Sequence, residues 1–283
     1  MRTFVSAVAV ILGAVLAAVA VPAIWLDRNI VQEDGFVSLA GPLGKDEAFQ
    51  HRLAAAAVGT IDTGAVPKAL ASLVQPVLEA AAGNMAALPG YPAAWEETLR
   101  RSHKLSFTDP RSLPPEADST TSLTLDVAPL VALGVKEISK ASGFPLDAPD
   151  QTLISIGQPN QRQLVERVSA YAPMGYILAI AAGTALALAL IAARRRWAVV
   201  FAAGVAALSL AALWTAGSQL AAGAVLGAAS GNDVADMFKN EFAAAASGNF
   251  RTWIAAAAVT GGGLVVAAVV IRIASRGRRR ATR

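Results

Sequence analysis

The sequence predicts a helical membrane protein: four transmembrane helices and, on the outer face, one mainly helical α+β domain. Three observations carry this. Four long apolar runs punctuate the chain. Charge is scarce, 16% of residues in a chain that is 55% hydrophobic, against about 25% in ordinary globular domains. The arginines sit in clusters beside the apolar runs, and the acids lie almost entirely elsewhere.

A helix rises about 1.5 Å per residue, so roughly 20 apolar residues cross the hydrocarbon layer. Phe4–Leu26, Pro173–Ala193, Trp197 to at least Gly217, and Trp253–Ile271 meet that length with no charge inside them. A buried core helix is the alternative reading, but core helices seldom stay uncharged for so long. The first run, preceded by Arg2, also admits a secretory signal with cleavage after Ala20, in the small-residue pattern Ala18-Val19-Ala20. Its apolar stretch exceeds the usual signal core of about 7–15 residues, which favours a retained anchor.

Basic residues beside a span resist translocation. Arg2, Arg194–Arg196, Arg272, Arg276, Arg278–Arg280 and Arg283 flank the spans without a single acid among them. Asp27–Ala170 instead holds 12 basic and 17 acidic residues. One layout places every cluster inside: an anchor at 1–26, an outer domain at 27–171, a span at 172–193, an inner turn at 194–196, a span at 197–217, an outer loop with a helix at 218–251, a span at 252–272 and a basic tail at 273–283. Both termini are then cytoplasmic, and Arg251, next to the last span, is left outside. Trp25, Tyr171, Tyr176 and Trp253 fall at the outer interface and Trp197 at the inner one, where amphipathic rings prefer to lie. The tail reads as a topology anchor beside anionic lipid; a specific headgroup site is the alternative, and no aromatic interleaving supports nucleic acid.

Within 27–171, helical spacing predicts a helix starting near Asp46 that buries Phe49, Leu53 and Ala57. A second carries the stripe Leu70, Leu73, Val74, Val77 and Leu78 and is interrupted at Pro76. A third starts after Pro92 and buries Trp95 and Leu99. Asp109–Ser119, with three prolines, reads as a loop. Ser122–Val127 alternates like a strand, Pro129–Ser142 is a short helix using Leu130, Leu133 and Ile138, and Thr152–Ile156 is a second strand. A helix between two strands predicts a parallel pair. From Gln161 an amphipathic helix leads to the second span. In the outer loop, Gly223, Gly227 and Gly231 repeat every four residues, a spacing that lets helix backbones approach, or else a chance feature of an alanine-rich helix. Val234, Phe238 and Phe242 share one face of a following helix, which rests on the membrane or against the outer domain.

The absence of cysteine excludes disulfides, thiolate metal sites and thiol catalysis. No phosphate-binding loop, nucleophile elbow or His-Glu-x-x-His motif is present. His51 and His103, the only histidines, read as surface or half-buried helix residues, and Glu96 and Glu97 as a solvated helix face. No catalytic, cofactor-binding or metal-ligating set is assigned. The spans carry no ionisable group at depth, which argues against a pump or coupled transporter.

Gly41-Pro42-Leu43 before the Asp46 helix, Trp95 with His103 downstream, Leu123–Asp126 and Ala128-Pro129-Leu130 together resemble a family of actinobacterial integral membrane proteins. That family has one N-terminal span, a large extracytoplasmic domain and clustered C-terminal spans. The resemblance covers about residues 25–215 and implies the four-span layout; it brings no catalytic residues. The leading functional expectation is a non-enzymatic envelope protein whose outer domain binds a protein or wall partner. The alternatives are an accessory or sensor subunit of a transport or signalling complex, and a membrane enzyme acting on lipid or wall precursors, motivated by Glu97 and His103.

Overall fold

The structure, a computed structural model, describes residues 2–59, 87–107, 124–143, 145, 147–155, 162–227 and 233–281. The expected stripe at 70–78 with Pro76, the loop at 109–119, the edges of the two strands at 122–123 and 156, and Gly231 lie outside these residues, as do the side chains of Ala57, Ile138 and Val234. Four helices are long and apolar enough to cross a membrane. The protein therefore has the architecture of a multi-pass membrane protein.

Helix α1 (Arg2–Leu26) runs into a π-helical turn, Asp27–Val31. Then come α2 (Glu33–Ala40), a 3-10 turn at Gly41–Lys45, α3 (Glu47–Gly59) and α4 (Tyr91–Phe107). Strand β1 (Thr124–Asp126), α5 (Ala128–Ser142), β2 (Leu153–Ser155) and α6 (Arg162–Tyr171) follow. Last are α7 (Met174–Ala192), α8 (Arg196–Gly227) and α9 (Asp233–Ala281). Helices α8 and α9 extend well past the expected spans, so the 218–251 segment is helical almost throughout its described residues. At Ser218-Gln219 the hydropathy falls, but the alanines that follow keep helix propensity high.

The chain divides into two compact units: a bundle of residues 1–27, 170–224 and 246–283, and a second unit of residues 28–169 and 225–245. In the bundle, α1 and α7 pack closely because a glycine on each helix leaves room for the other. A Cβ on Gly13 would lie 2.9 Å from Leu186 Cγ, and one on Gly175 2.8 Å from the Ile24 backbone nitrogen. Ser6 Oγ donates to the Ala189 carbonyl at 3.0 Å, and Val10 is buried with Ala189 and Val199. Helices α8 and α9 meet glycine to glycine. A Cβ on Gly204 would be 2.7 Å from the Gly261 carbonyl oxygen, and one on Gly261 2.9 Å from that of Gly204. Trp214 Nε1 donates to the Ala18 carbonyl at 3.0 Å. Farther along, Trp25 Nε1 donates to Asn249 Oδ1 at 2.8 Å, with the Phe250 ring 5.2 Å away.

These contacts order the helix ends. The start of α1 lies beside the end of α7 and the start of α8, and Arg272 on α9 stacks over the Trp197 ring at 4.7 Å. Arg2, the turn Arg194–Arg196 and Arg272 thus belong to one end of the bundle; Trp25, Asn249 and Phe250 belong to the other.

The second unit has its own core. Phe36 and Val37 of α2, Leu43, Phe49 and Leu53 of α3, Trp95 and Leu99 of α4, Leu125, Leu130 and Ile154 are buried together with Met237 and Phe238 of α9. Asp46 starts α3 as expected, its Oδ1 accepting the Phe49 N–H at 2.8 Å, which satisfies one of the open donors of a first turn. Phe238 and Phe242 do share a face, packed with Phe36 and Phe49 in this core.

The strand pair corrects the expected parallel arrangement. β1 and β2 are antiparallel, with Leu125 opposite Ile154 and Asp126 opposite Leu153. A parallel pair needs the connection to return to the starting end of β1. Here α5 leaves directly from the end of β1 and stops at Gly143, which takes a left-handed conformation (φ 75°) with its N–H on the Ser139 carbonyl. The following segment returns to that same end, where the Val127 N–H meets the Thr152 carbonyl at 2.8 Å.

Candidate functional site

The densest polar chemistry among the described residues lies along α4. Pro92 near its start needs no helical partner for its missing N–H. Tyr91, Trp95, Thr98, Leu99, Ser102 and Ser106 recur at helical spacing and are buried. Glu96, Glu97 and Lys104 stay exposed.

Arg100 is a hub. Its guanidinium donates to Glu96 at 2.7 Å, one turn back, and to Glu33 at 2.9 Å and Asp34 at 3.3 Å on α2. Hydrogen bonds to Glu96, Glu33 and Asp34, in that order, push its already high pKa further up. The pairs with Glu33 and Asp34 link α2 to α4 at the solvent-exposed surface, where screening leaves ion pairs weak. Arg101 Nε donates to Glu97 at 2.9 Å, and its Nη1 lies 3.9 Å from Asp126 Oδ2.

Asp126 is 2% exposed. Its Oδ1 accepts the N–H groups of Ala128 and Thr152, both at 3.0 Å. One carboxylate oxygen thereby caps the start of α5 and ties down the entry to β2. Its own N–H donates to Ser102 Oγ at 2.9 Å, while that hydroxyl donates to the Thr98 carbonyl at 2.5 Å. In the sequence Asp126 reads as part of a strand and of the motif Leu123–Asp126, and Ser102 as part of a helix, with no role assigned to either. The one available signal was an Asp two residues before a helix start.

His103 is 6% exposed, more deeply buried than a surface or half-buried position. Its ring stacks on Phe107 at 4.4 Å and tilts against Phe36 at 5.3 Å. Its Nε2 lies 3.1 Å from the Ile30 carbonyl oxygen, so that nitrogen carries the proton and donates. Burial lowers its pKa, and this outweighs the upward pull of the Ile30 and Val31 carbonyls and of Glu33. His103 is thus a neutral donor at neutral pH.

Glu97 and His103 are not brought together. Six residues on a helix turn through about 600°, which leaves the two on different faces. Glu97 engages Arg101 and His103 engages Ile30. His51 is exposed on α3. Among the described residues no cluster of His, Asp or Glu is arranged to hold a metal ion. Three buried polar atoms along one face of α4, Tyr91 Oη, Trp95 Nε1 and Thr98 Oγ1, find no hydrogen-bond partner among the described residues. Burial pushes the Tyr91 phenol up to about 12.

On α8, a Cβ at Gly223 or Gly227 would meet nothing within 4 Å. No helix described in this chain fills that row. Within the bundle, Gly13, Gly175, Gly204 and Gly261 do sit against a neighbouring helix. Comparison with protein-family models, curated proteins and solved structures gives no match for this chain.

Proposed function

We propose that this is a multi-pass membrane protein, both termini cytoplasmic, whose second unit faces outward and binds a protein or wall partner without catalysing a reaction. The observation that carries the orientation is the gathering of Arg2, Arg194–Arg196 and Arg272 at one end of the bundle. Positive charge at one end of every span is what retains that end in the cytoplasm. The layout is that of the actinobacterial family the sequence resembles.

The reactive side chains of α4 and of the neighbouring end of β1 support binding over catalysis. His103, Asp126 and Arg100 are each consumed in holding the second unit together, whereas a catalytic pair needs a base within reach of its proton donor. Proximity labelling from a tag in the second unit, in the native host, should enrich an outer-face protein or wall-associated component. Labelling that yields only bulk membrane proteins would sink the reading.

A second reading, an accessory subunit of a membrane complex, is favoured by the open space beside Gly223 and Gly227. Small residues on an uncovered helix face suit a helix from another chain. Under that reading Gly227→Leu breaks an assembly seen on native gels and Leu226→Ala does not.

A further inference from the structure

We propose that the arginine end of the bundle is a binding site for the phosphodiester headgroup of an anionic phospholipid, organised by Arg272 stacked on Trp197. The site joins two parts of the chain distant in sequence. Arg194, Arg195 and Arg196 form the α7–α8 turn and are all exposed, and Trp197 is half-buried at the start of α8. Arg272, from α9, lies over the Trp197 ring at 4.7 Å.

A guanidinium held over an aromatic face is attracted by the ring quadrupole and keeps its N–H edges for other acceptors. Those edges form a fork that matches phosphate oxygens. No carboxylate among the described residues pairs with Arg194, Arg195, Arg196 or Arg272. The one acid in the bundle's sequence is Asp27, beyond the far end of α1 and about 37 Å from Arg2 by helical rise. These cations flank apolar helices, so a bilayer around those helices sets them at the depth of lipid phosphates. A ring-stacked arginine beside three consecutive arginines therefore has its complement in the surrounding leaflet. The inference needs the bundle to be in a bilayer, but not a particular face of the membrane, so it stands or falls separately from the proposed outer-face binding.

Native mass spectrometry of the full-length protein in detergent tests it, with dioleoylphosphatidylglycerol, dioleoylphosphatidylcholine and inorganic phosphate as probes. The wild type should retain phosphatidylglycerol in preference to phosphatidylcholine. Arg272→Gln and Trp197→Leu should each reduce that retention by about five-fold, the scale of one lost stacked cation contact. Arg272→Lys preserves the charge that orients the chain but not the fork, and should also lose most of it. Arg280→Gln, an equal loss of charge elsewhere on α9, should leave it unchanged. Equal retention of both lipids, or the same loss in Arg280→Gln as in Arg272→Gln, would reduce the site to diffuse attraction. Full retention in Arg272→Lys would remove the stacked arginine from the proposal. Displacement of the lipid by inorganic phosphate at comparable concentration would make a soluble anion the ligand and overturn the lipid assignment.

Discussion

His103 donates to the Ile30 carbonyl from within a ring stack, and its burial gives the second unit a pH dependence of definite sign. Its folded pKa is lowered, so below the unfolded value of about 6.5 the unfolded chain binds more protons than the folded one. Stability from this residue is fully present above that pH and declines as pH falls toward the folded pKa. The thermal midpoint of the full chain in detergent should drop on acidification from about pH 7.5 to 5.5, above the carboxylate range. That slope should flatten in His103→Gln and persist in the exposed control His51→Gln. A slope unchanged in His103→Gln assigns it elsewhere. Thr98, fully buried with a hydroxyl that finds no partner among the described residues, supplies a second test. Thr98→Val removes an unsatisfied group at nearly constant shape and should raise stability by about 1 kcal/mol. A loss of that size in thermal unfolding would instead reveal a partner such as an internal water. The sequence made Glu97 and His103 look like neighbours. Their separation was legible from helical phase alone, but the burial of His103 was not, because it depends on Phe36 and Ile30, some seventy positions away.

At the scale of elements, the starts of α3 and α4 and the faces they bury were readable, since Asp46, Phe49, Leu53, Trp95 and Leu99 follow local capping and period rules. The direction of the strand pair was not. It depends on where the segment after Gly143 returns, which no short-range pattern encodes. Glycines make the same point. Gly223 and Gly227 form the visible row, yet Gly204 and the first glycine of the run Gly261–Gly263 make the close crossing. A glycine is marked as a contact only by what lies opposite, and that is a tertiary fact. Gly204→Ala should destabilise the bundle by about 1–3 kcal/mol, since the new methyl meets backbone rather than a flexible side chain. Gly217→Ala, in open space on the same helix, should be neutral or slightly stabilising. Aggregation temperatures in one detergent compare the two; equal shifts would deny the α8–α9 crossing.

For the whole molecule, the four spans were legible because length and apolarity are local properties that the bilayer demands of any crossing helix. The division into units was less so, because residues 225–245 belong with 28–169 across nearly sixty intervening positions. Reporter fusions test the proposed orientation. Fusions after Gly134 and Asn240 should report outside, and those at Arg195 and after Arg280 inside; an inside signal at Gly134 would overturn it. Replacing Arg194, Arg195 and Arg196 together by Asn should give mixed topology or lower abundance, and unchanged topology would show that the remaining arginines suffice. Met237 and Phe238 complete the core around Phe36 and Phe49, and this has a consequence for biosynthesis. The ribosome delivers Phe49 nearly two hundred residues before Phe238. During that interval the emerging unit carries an apolar surface whose natural cover has not been made. A secreted fragment of residues 28–169 would keep that surface for good. It should aggregate or recruit chaperones, and supplying residues 225–245 as a separate peptide should restore its solubility.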